Sequence, residues 1–296
     1  MIHPNLTVIQ TKVDSLPALP SVVNKVMAIT ADPDCSANDL MRAILPDQSM
    51  CAAILKVANS ALYGMPRQIS TIERAVVLLG HDEIRNIVIG KAIFSAFPRF
   101  TKEYRLTVDL FWEHAFTCGL AAKIIGQHIG LSQGETFIAG LIHDIGKLAM
   151  LLALPNEYPV LRELSAPAEY GMTCDEESAF GISHDAIGMQ LALKWLLPEQ
   201  LVMAIGFHHE PRKAPAQSLL PLLVQIADIF ALLYSNPEML KAEDIERIFD
   251  DFFTDTADLW RESKLDWNPR KLGIWFETLR DVRANDQSIL DIFSGS

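Results

Sequence analysis

The chain reads as all-α on three observations. Apolar residues recur at spacings of three and four, as in Ile84, Ile87 and Val88 with Lys91 turned outward. Strand-like alternation is scarce. Helix-opening signals recur along the chain: Ser36-Ala37-Asn38-Asp39, Ser70-Thr71-Ile72-Glu73, Ser132-Gln133-Gly134-Glu135 and Thr173-Cys174-Asp175-Glu176 each predict a capping box, in which side-chain oxygens satisfy the first free amides. Gly80 and Gly130, with Pro46, Pro98, Pro155, Pro198 and Pro211, close the segments so opened.

Taken in order, these segments fall into three blocks. Residues 1–98 form an N-terminal helical subdomain that ends at Phe97-Pro98, and residues 99–235 carry every candidate ligand described below. Residues 236–296 are acidic and richer in Trp and Phe. Their helical spacing at Ile245, Ile248, Phe249, Phe252 and Phe253 predicts a covering extension that packs. No internal repeat or low-complexity tract interrupts the blocks.

Composition narrows the function. Half of the 296 residues are hydrophobic, enough for a sizeable core. The longest apolar run, Leu219 to Tyr234, contains Pro221, Gln225 and Asp228, so no segment reads as membrane-spanning. Met1-Ile2-His3-Pro4-Asn5-Leu6 has neither the basic flank nor the apolar block of a secretory signal, which predicts a cytoplasmic protein. Cys35, Cys51, Cys118 and Cys174 are far apart and form no C-x-x-C, so they read as small buried residues rather than a disulfide or zinc set. A net charge of −12 repels phosphate backbones and argues against direct nucleic-acid binding. A small phosphorylated ligand is compatible with it, because a metal or local cation reverses the potential inside one cleft.

The informative residues are polar ones set among apolar neighbours. His143-Asp144 sits in Leu141-Ile142-His143-Asp144-Ile145-Gly146-Lys147, read here as the interior of one apolar helix. Burying the Asp144 carboxylate costs several kcal/mol without a cationic partner. Lys147 is one candidate partner and a metal ion is the other. Asp228, within Leu222 to Phe230, has no basic residue within a turn, so its partner must come from elsewhere in the fold. His114 projects from a mostly apolar face of its helix; taken alone it reads as a core histidine bonded to a carbonyl. His184 follows a plausible cap, Ser183, and is equally an exposed first-turn residue or a ligand. His208-His209 ends a helix that starts near Pro198, where an imidazolium is favoured by the helix dipole alone. Consecutive side chains diverge by about 100 degrees on a helix, so one of the two is expected to ligate and the other to face substrate.

Jointly these positions offer imidazoles and carboxylates without thiolates, which suits one or two divalent ions of iron, manganese, nickel or zinc better than calcium. Asp144 could bridge two ions, with His114, His143 and Asp228 on one side and His184 and His208 on the other. Such a pair supplies a nucleophile from water at neutral pH and takes up phosphoryl charge. Lys147 and His209 would then face the substrate.

The order of a helix histidine, an HD dipeptide and a late aspartate resembles the HD superfamily of metal-dependent phosphohydrolases. Leu16-Pro17-Ala18-Leu19-Pro20, Ala58-Asn59-Ser60-Ala61-Leu62-Tyr63-Gly64, Ile69-Ser70-Thr71-Ile72, Ala75 to Gly80, Phe180 to His184 and Trp195 to Pro198 sharpen this to the HDOD family over residues 15–235. The resemblance implies a multi-helix HD-type fold, with an N-terminal helical subdomain packed against the HD core, and a regulatory role in bacterial signalling, often with a degenerate metal site. This chain keeps the set His114, His143, Asp144, His184, His208 and Asp228. His208-His209-Glu210 is followed by Pro211-Arg212-Lys213-Ala214 rather than a Gly-Tyr-Pro segment, so hydrolysis of cyclic di-GMP is not expected. Two functions stand side by side: a phosphohydrolase acting on a small phosphoester or nucleotide, and a catalytically silent module that binds a protein signalling partner. In the second, Asn59-Ser60 and Tyr63 matter more than the metal, although an Asn-Ser pair before Tyr-Gly also simply forms a helix end and turn.

Overall fold

The computed structural model describes residues 4–32, 34–60, 67–98, 100–160, 172–215, 218–236 and 254–285, and every regular element among them is helical. The first block contributes α1 (Pro4–Ser15), α2 (Ser21–Thr30), α3 (Ala37–Ile44), α4 (Gln48–Ala58), α5 (Ile72–Leu79) and α6 (His81–Ala96). Next come α7 (Arg105–Ile129), α8 (Gln133–Ile142), α9 (Ile145–Ala153), α10 (Met172–Phe180), α11 (His184–Lys194), α12 (Glu199–Phe207), a short 3₁₀ turn at Pro211–Lys213 and α13 (Leu219–Ser235). The C-terminal stretch adds α14 (Thr254–Glu262) and α15 (Pro269–Asn285).

Local chemistry explains most boundaries. Ser36 closes a full capping box with Asp39, and Ser132 accepts from the Glu135 amide at 3.5 Å. Two expected boxes differ. Ile72 is the first core residue of α5, so Thr71 rather than Ser70 takes the cap and accepts from the Arg74 amide. Thr173 lies inside α10, and Glu176 is drawn into the core instead of capping. Gly80 and Gly130 end α5 and α7 at φ of 83° and 79°, a region that disfavours side chains. Asn59 behaves as a helix end: its amide group donates to the Leu55 and Ile69 carbonyls and accepts from the Ile69 amide, all at 2.7 Å. Tyr63 and the tail residues Ile245, Ile248, Phe249, Phe252 and Phe253 lie outside the described residues.

The long helix α7 is the axis. It packs on α8, α13 and α15, while α11 packs on α9 and α12. The α7–α8 crossing is a backbone contact, since a Cβ at Gly140 would lie 2.7 Å from the Cys118 carbonyl oxygen. The α9–α11 crossing is tighter still: a Cβ at Gly146 would fall 1.8 Å from the His184 carbonyl oxygen. These crossings bring the segments that carry His114, His143-Asp144 and His184 to one place. The first block is tied on by α6 against α8 and by α1 against α9 and α10. Lys194 adds a clasp, donating to the Val13, Asp14 and Leu16 carbonyls at 2.9, 2.7 and 2.9 Å. At the other end Trp260, Trp275 and Phe276 bury α14 and α15 in the same core.

Leu219 to Tyr234 is not the most membrane-like stretch. Gln133–Ala153, α8 and α9 taken together, is long and apolar enough to cross a membrane, and 83% of its apolar window is buried inside the fold. Core packing accounts for that composition, because α8 and α9 are enclosed by α7, α11 and α13.

Gly146→Ala should therefore lower stability by about 3 kcal/mol, the upper range for overpacking a core, and should weaken any ligand held between Asp144 and His184. Urea unfolding checks the first part. An unchanged midpoint would show that the crossing is looser than described.

Candidate metal centre

His143 and Asp144 are not mid-helix residues. His143 caps the end of α8 and Asp144 occupies the N-cap position of α9, so the chain turns between them. The turn sends both side chains to the same side, which a continuous helix would not do. Both are buried, as are His184 and His208.

Asp144 is the hub. Its Oδ1 lies 3.1 Å from His184 Nε2 and 3.5 Å from His208 Nε2. Its Oδ2 lies 3.2 Å from His143 Nε2 and 2.6 Å from Lys147 Nζ. Asp228, on α13, brings its Oδ1 to the same His143 Nε2 at 3.4 Å and to His114 Nε2 at 2.8 Å. The six expected ligands and His209 are thus brought together, in two groups within each of which the ligand atoms lie within 4.8 Å of one another: His114, His143 and Asp228, and Asp144, His184, His208 and His209. Lys147 is an ion-pair partner of Asp144, and the partners that Asp228 required come from α7 and the α8 end.

His209 departs from the expected divergence. Because α12 stops at Phe207, His208 is already a cap and its successor is free of helical direction. The two rings lie with centroids 4.1 Å apart, and His209 Nε2 reaches within 2.9 Å of His184 Nε2. His184, for its part, is fully enclosed rather than an exposed first-turn residue.

Hydrogen bonds on the outer nitrogens orient the rings. His143 Nδ1 donates to the Gly140 carbonyl at 2.7 Å, and His208 Nδ1 donates to the Ile205 carbonyl at 2.8 Å. His184 Nδ1 donates to Glu176 Oε2 at 2.7 Å, which also accepts the His184 amide at 2.8 Å. Tyr158 completes this arrangement by donating to Glu176 Oε1 at 2.8 Å. In a neutral ring whose Nδ1 carries the proton, Nε2 presents a lone pair. Those lone pairs face carboxylate oxygens, and neither His143 Nε2, His208 Nε2 nor either Asp144 oxygen completes a well-aligned hydrogen bond. Acceptors crowded against acceptors need a positive species among them, either protons on the rings or a metal ion.

The electrostatics agree. For His143, burial opposes the charged form, but Asp144, Cys118 and Asp228 outweigh it and hold its pKa well above normal. For His184, burial again opposes, and Glu176 followed by Asp144 lifts the pKa to about 9. His208 is pushed down by burial and by His143, despite its contact with Asp144. Burial, His208 and His184 push His209 well down. Asp144 and Asp228 would be raised by burial, yet the surrounding imidazoles, with Lys147 beside Asp144, keep both well below the usual carboxylate range.

Glu176 is the residue that the sequence reading missed. It is fully buried and sits under His184, with no basic neighbour in sequence to mark it. It is the middle residue of Asp175-Glu176-Glu177, and its place one turn before Phe180, on the same face of the helix, was the available signal.

Comparison with known proteins places the fold. An HDOD domain family model matches residues 16–211. The chain is similar to the crystal structure of a protein provisionally named a phosphohydrolase from Shewanella amazonensis SB2B, at 23% identity, 97% coverage of this chain, 98% of that chain and a TM-score of 0.73. A Geobacter sulfurreducens HDOD domain protein of unknown function matches at 24% identity, coverage of 98% and 96%, and a TM-score of 0.72. Among curated relatives, Ribonuclease Y of Desulfotalea psychrophila is 34% identical over 149 residues, 47% of this chain. An uncharacterized protein of Treponema pallidum is 26% identical over 221 residues, 74% of this chain. The matched stretches span 22% and 42% of those two relatives' lengths. Asp228, α14 and α15 lie beyond the stretch matched by the family model.

Removing the anion beneath His184 should be costly in a pH-dependent way. The folded-state pKa of His184 is raised, so its pairing with Glu176 stabilises fully below the unfolded value near 6.5 and is lost as pH rises through about 9. In metal-free protein, Glu176→Gln should cost about 3 kcal/mol at pH 6, with the deficit shrinking by pH 9.5. Urea unfolding across that range checks it; a pH-independent deficit would contradict the pairing.

Proposed function

The chain belongs to the HDOD family, and from that premise we propose that it is a signalling protein whose HD site hydrolyses a phosphoester or nucleotide with the help of one or two divalent transition-metal ions. The observation that carries this reading is the convergence of imidazole lone pairs and two carboxylates on one buried point, with no well-aligned hydrogen bond on either Asp144 oxygen. Asp144 would be shared between the two groups; His114, His143 and Asp228 would hold one ion, and His184 and His208 the other. Iron, manganese, nickel and zinc all suit that donor set. When bound, such an ion draws a nucleophile from water at neutral pH and stabilises charge on a phosphoryl oxygen.

The remaining roles fall to residues with access to solvent. Lys147 is held by Asp144 at 2.6 Å, and we assign its ammonium to a phosphate oxygen of the substrate. His209 is partly exposed and neutral at pH 7, so it can take a proton from the reacting group. The net charge of −12 supports a small phosphorylated substrate over RNA, the likeness to Ribonuclease Y notwithstanding. In this reading residues 1–98 are a helical subdomain on the ligand-bearing block 99–235, α14 and α15 of the extension 236–296 cover that block, and the protein acts in the cytoplasm.

One observation favours a second reading. His143, Asp144, His184 and His208 are at most 1% exposed, which suits a metal held for structure in a regulatory module that contacts a protein partner without turnover. Hydrolysis of a chromogenic phosphodiester by wild type and by Lys147→Ala separates the two. Loss of turnover of about a hundred-fold in the variant, with metal content unchanged, supports the enzyme. No turnover by metal-replete wild type supports the module.

Metal binding is required by the enzyme reading, whereas a module could keep the metal or merely its histidines for structure. Elemental analysis of purified protein should find about one to two ions per chain, and Asp144→Ala should retain none. Protein that stays metal-free after reconstitution would sink the enzyme reading.

Loading should also release protons. At pH 7 the raised pKa values leave His143 and His184 protonated in metal-free protein, whereas His208, Asp144 and Asp228 already have their ligand atoms free. Calorimetry in buffers of different ionisation enthalpy should therefore count about two protons released at pH 7, with apparent affinity rising as pH increases from 7 towards the His184 pKa of about 9. Binding without proton release would contradict the assigned ligands.

A further inference from the structure

We propose that α14, in the C-terminal extension, is a positioning element of the metal centre, acting through Thr256 and Gln225 on His209. The inference rests on the metal-binding reading above and adds a part of the chain that neither the ligand set nor the matched family region includes.

Three buried polar contacts in series carry it. Thr256 Oγ1 donates to Gln225 Oε1 at 2.6 Å, and Gln225 Nε2 donates to the His209 carbonyl at 3.1 Å. Thr256 and Gln225 are 7% and 8% exposed. Gln225 lies one turn before Asp228 on α13, so one side chain connects two ligand-bearing elements. The third contact is that of His209 itself, whose Nε2 stands 2.9 Å from His184 Nε2 and whose ring nitrogen lies within 4.8 Å of the ligand atoms of Asp144, His184 and His208, so its placement bears on how that group receives an ion.

The order of donors and acceptors gives the series a direction. A glutamine side chain has an acceptor end and a donor end, and the His209 carbonyl accepts only. The Thr256 hydroxyl offers a proton to the acceptor end and so turns the donor end to His209. Without that hydroxyl the amide loses the partner that selects its orientation, and the His209 peptide loses its fixed donor. His208 and His143 are oriented by carbonyls of their own helices, and His184 by Glu176; His209 follows the end of α12 and its carbonyl is held by Gln225.

Burial separates this path from a second contact of the same helix. Glu262 on α14 meets Arg212, three residues after His209, at 3.3 Å, but both side chains are about half exposed. Exposed pairs of this kind contribute little. Trp260, 1% exposed, anchors α14 between the two contacts. The buried arm is the one expected to matter.

The test uses the full-length chain loaded with cobalt(II) as a spectroscopic probe. Thr256→Val, which keeps shape and removes the hydroxyl, should weaken cobalt binding at the weaker-binding site by about ten-fold and shift the ligand-field bands. Thr256→Ser should restore both, and Glu262→Gln should match wild type. Should Thr256→Val fail to fold, Gln225→Met breaks the same series from its centre. In metal-free protein, the His209 ring ¹⁵N resonances should move in Thr256→Val and return in Thr256→Ser. Cobalt affinity, bands and ring resonances all equal to wild type in a folded Thr256→Val protein would overturn the proposal. Wild type that binds no cobalt would instead overturn the metal-binding reading, and the ring resonances would then decide the positioning role alone.

Discussion

One buried carboxylate sets the terms for the rest of the molecule. Asp144 is 1% exposed, and its two oxygens face His143, His184, His208 and Lys147. An isolated carboxylate at such a depth costs several kcal/mol, so the fold is organised around supplying positive charge to it. Lys147 supplies one permanent charge. The imidazoles supply the rest in a form that can be exchanged, because each can hold a proton or yield its Nε2 lone pair to a metal. In the metal-binding reading proposed above, proton and metal are alternative occupants of one electrostatic well, and the same residues would account for metal affinity, for its dependence on pH and for the stability of the metal-free chain.

The architecture follows from the need to bring five separate segments to that point. Glycine does it at the two crossings where backbone meets backbone: Gly140 lets α8 approach α7, and Gly146 lets α9 approach α11. Since Gly146 lies two residues after Asp144 and its contact is the His184 carbonyl, the crossing and the site are one structural unit. Around it stands a layer of groups that hold the rings, the carbonyls of Gly140 and Ile205 and the carboxylate of Glu176, while the Gln225 amide holds the backbone carbonyl of His209. Enclosure by α13 and the C-terminal helices keeps water from screening these charges, which strengthens each interaction and narrows the route by which a substrate could arrive.

Much of this was legible before any coordinates. Helical periodicity and punctuation by Ser, Gly and Pro located most helices, since those signals are local and the chain obeys them at Ser36, Ser132, Gly80 and Gly130. His114, His143, Asp144, His184, His208 and Asp228 were identifiable because polar residues in apolar surroundings demand a partner. What escaped detection depended on the third dimension. The turn between α8 and α9 was invisible because nothing in Ile142-His143-Asp144-Ile145 breaks a helix locally; tertiary convergence bends it. Glu176 read as a cap because the four-residue pattern is the same whether its carboxylate turns back to an amide or inward to His184. His209 was expected to diverge from His208 because a helical rule was applied one residue past the end of the helix. Thr256 carries no local signal at all.

The most direct test of the metal centre is anomalous diffraction from crystals of the metal-loaded chain, collected on both sides of the absorption edge of the bound element. One or two peaks are expected within coordination distance of Asp144, flanked by His143 and Asp228 on one side and by His184 and His208 on the other. A map with no anomalous peak there, and with Lys147 and protonated imidazoles alone around the Asp144 carboxylate, would contradict it.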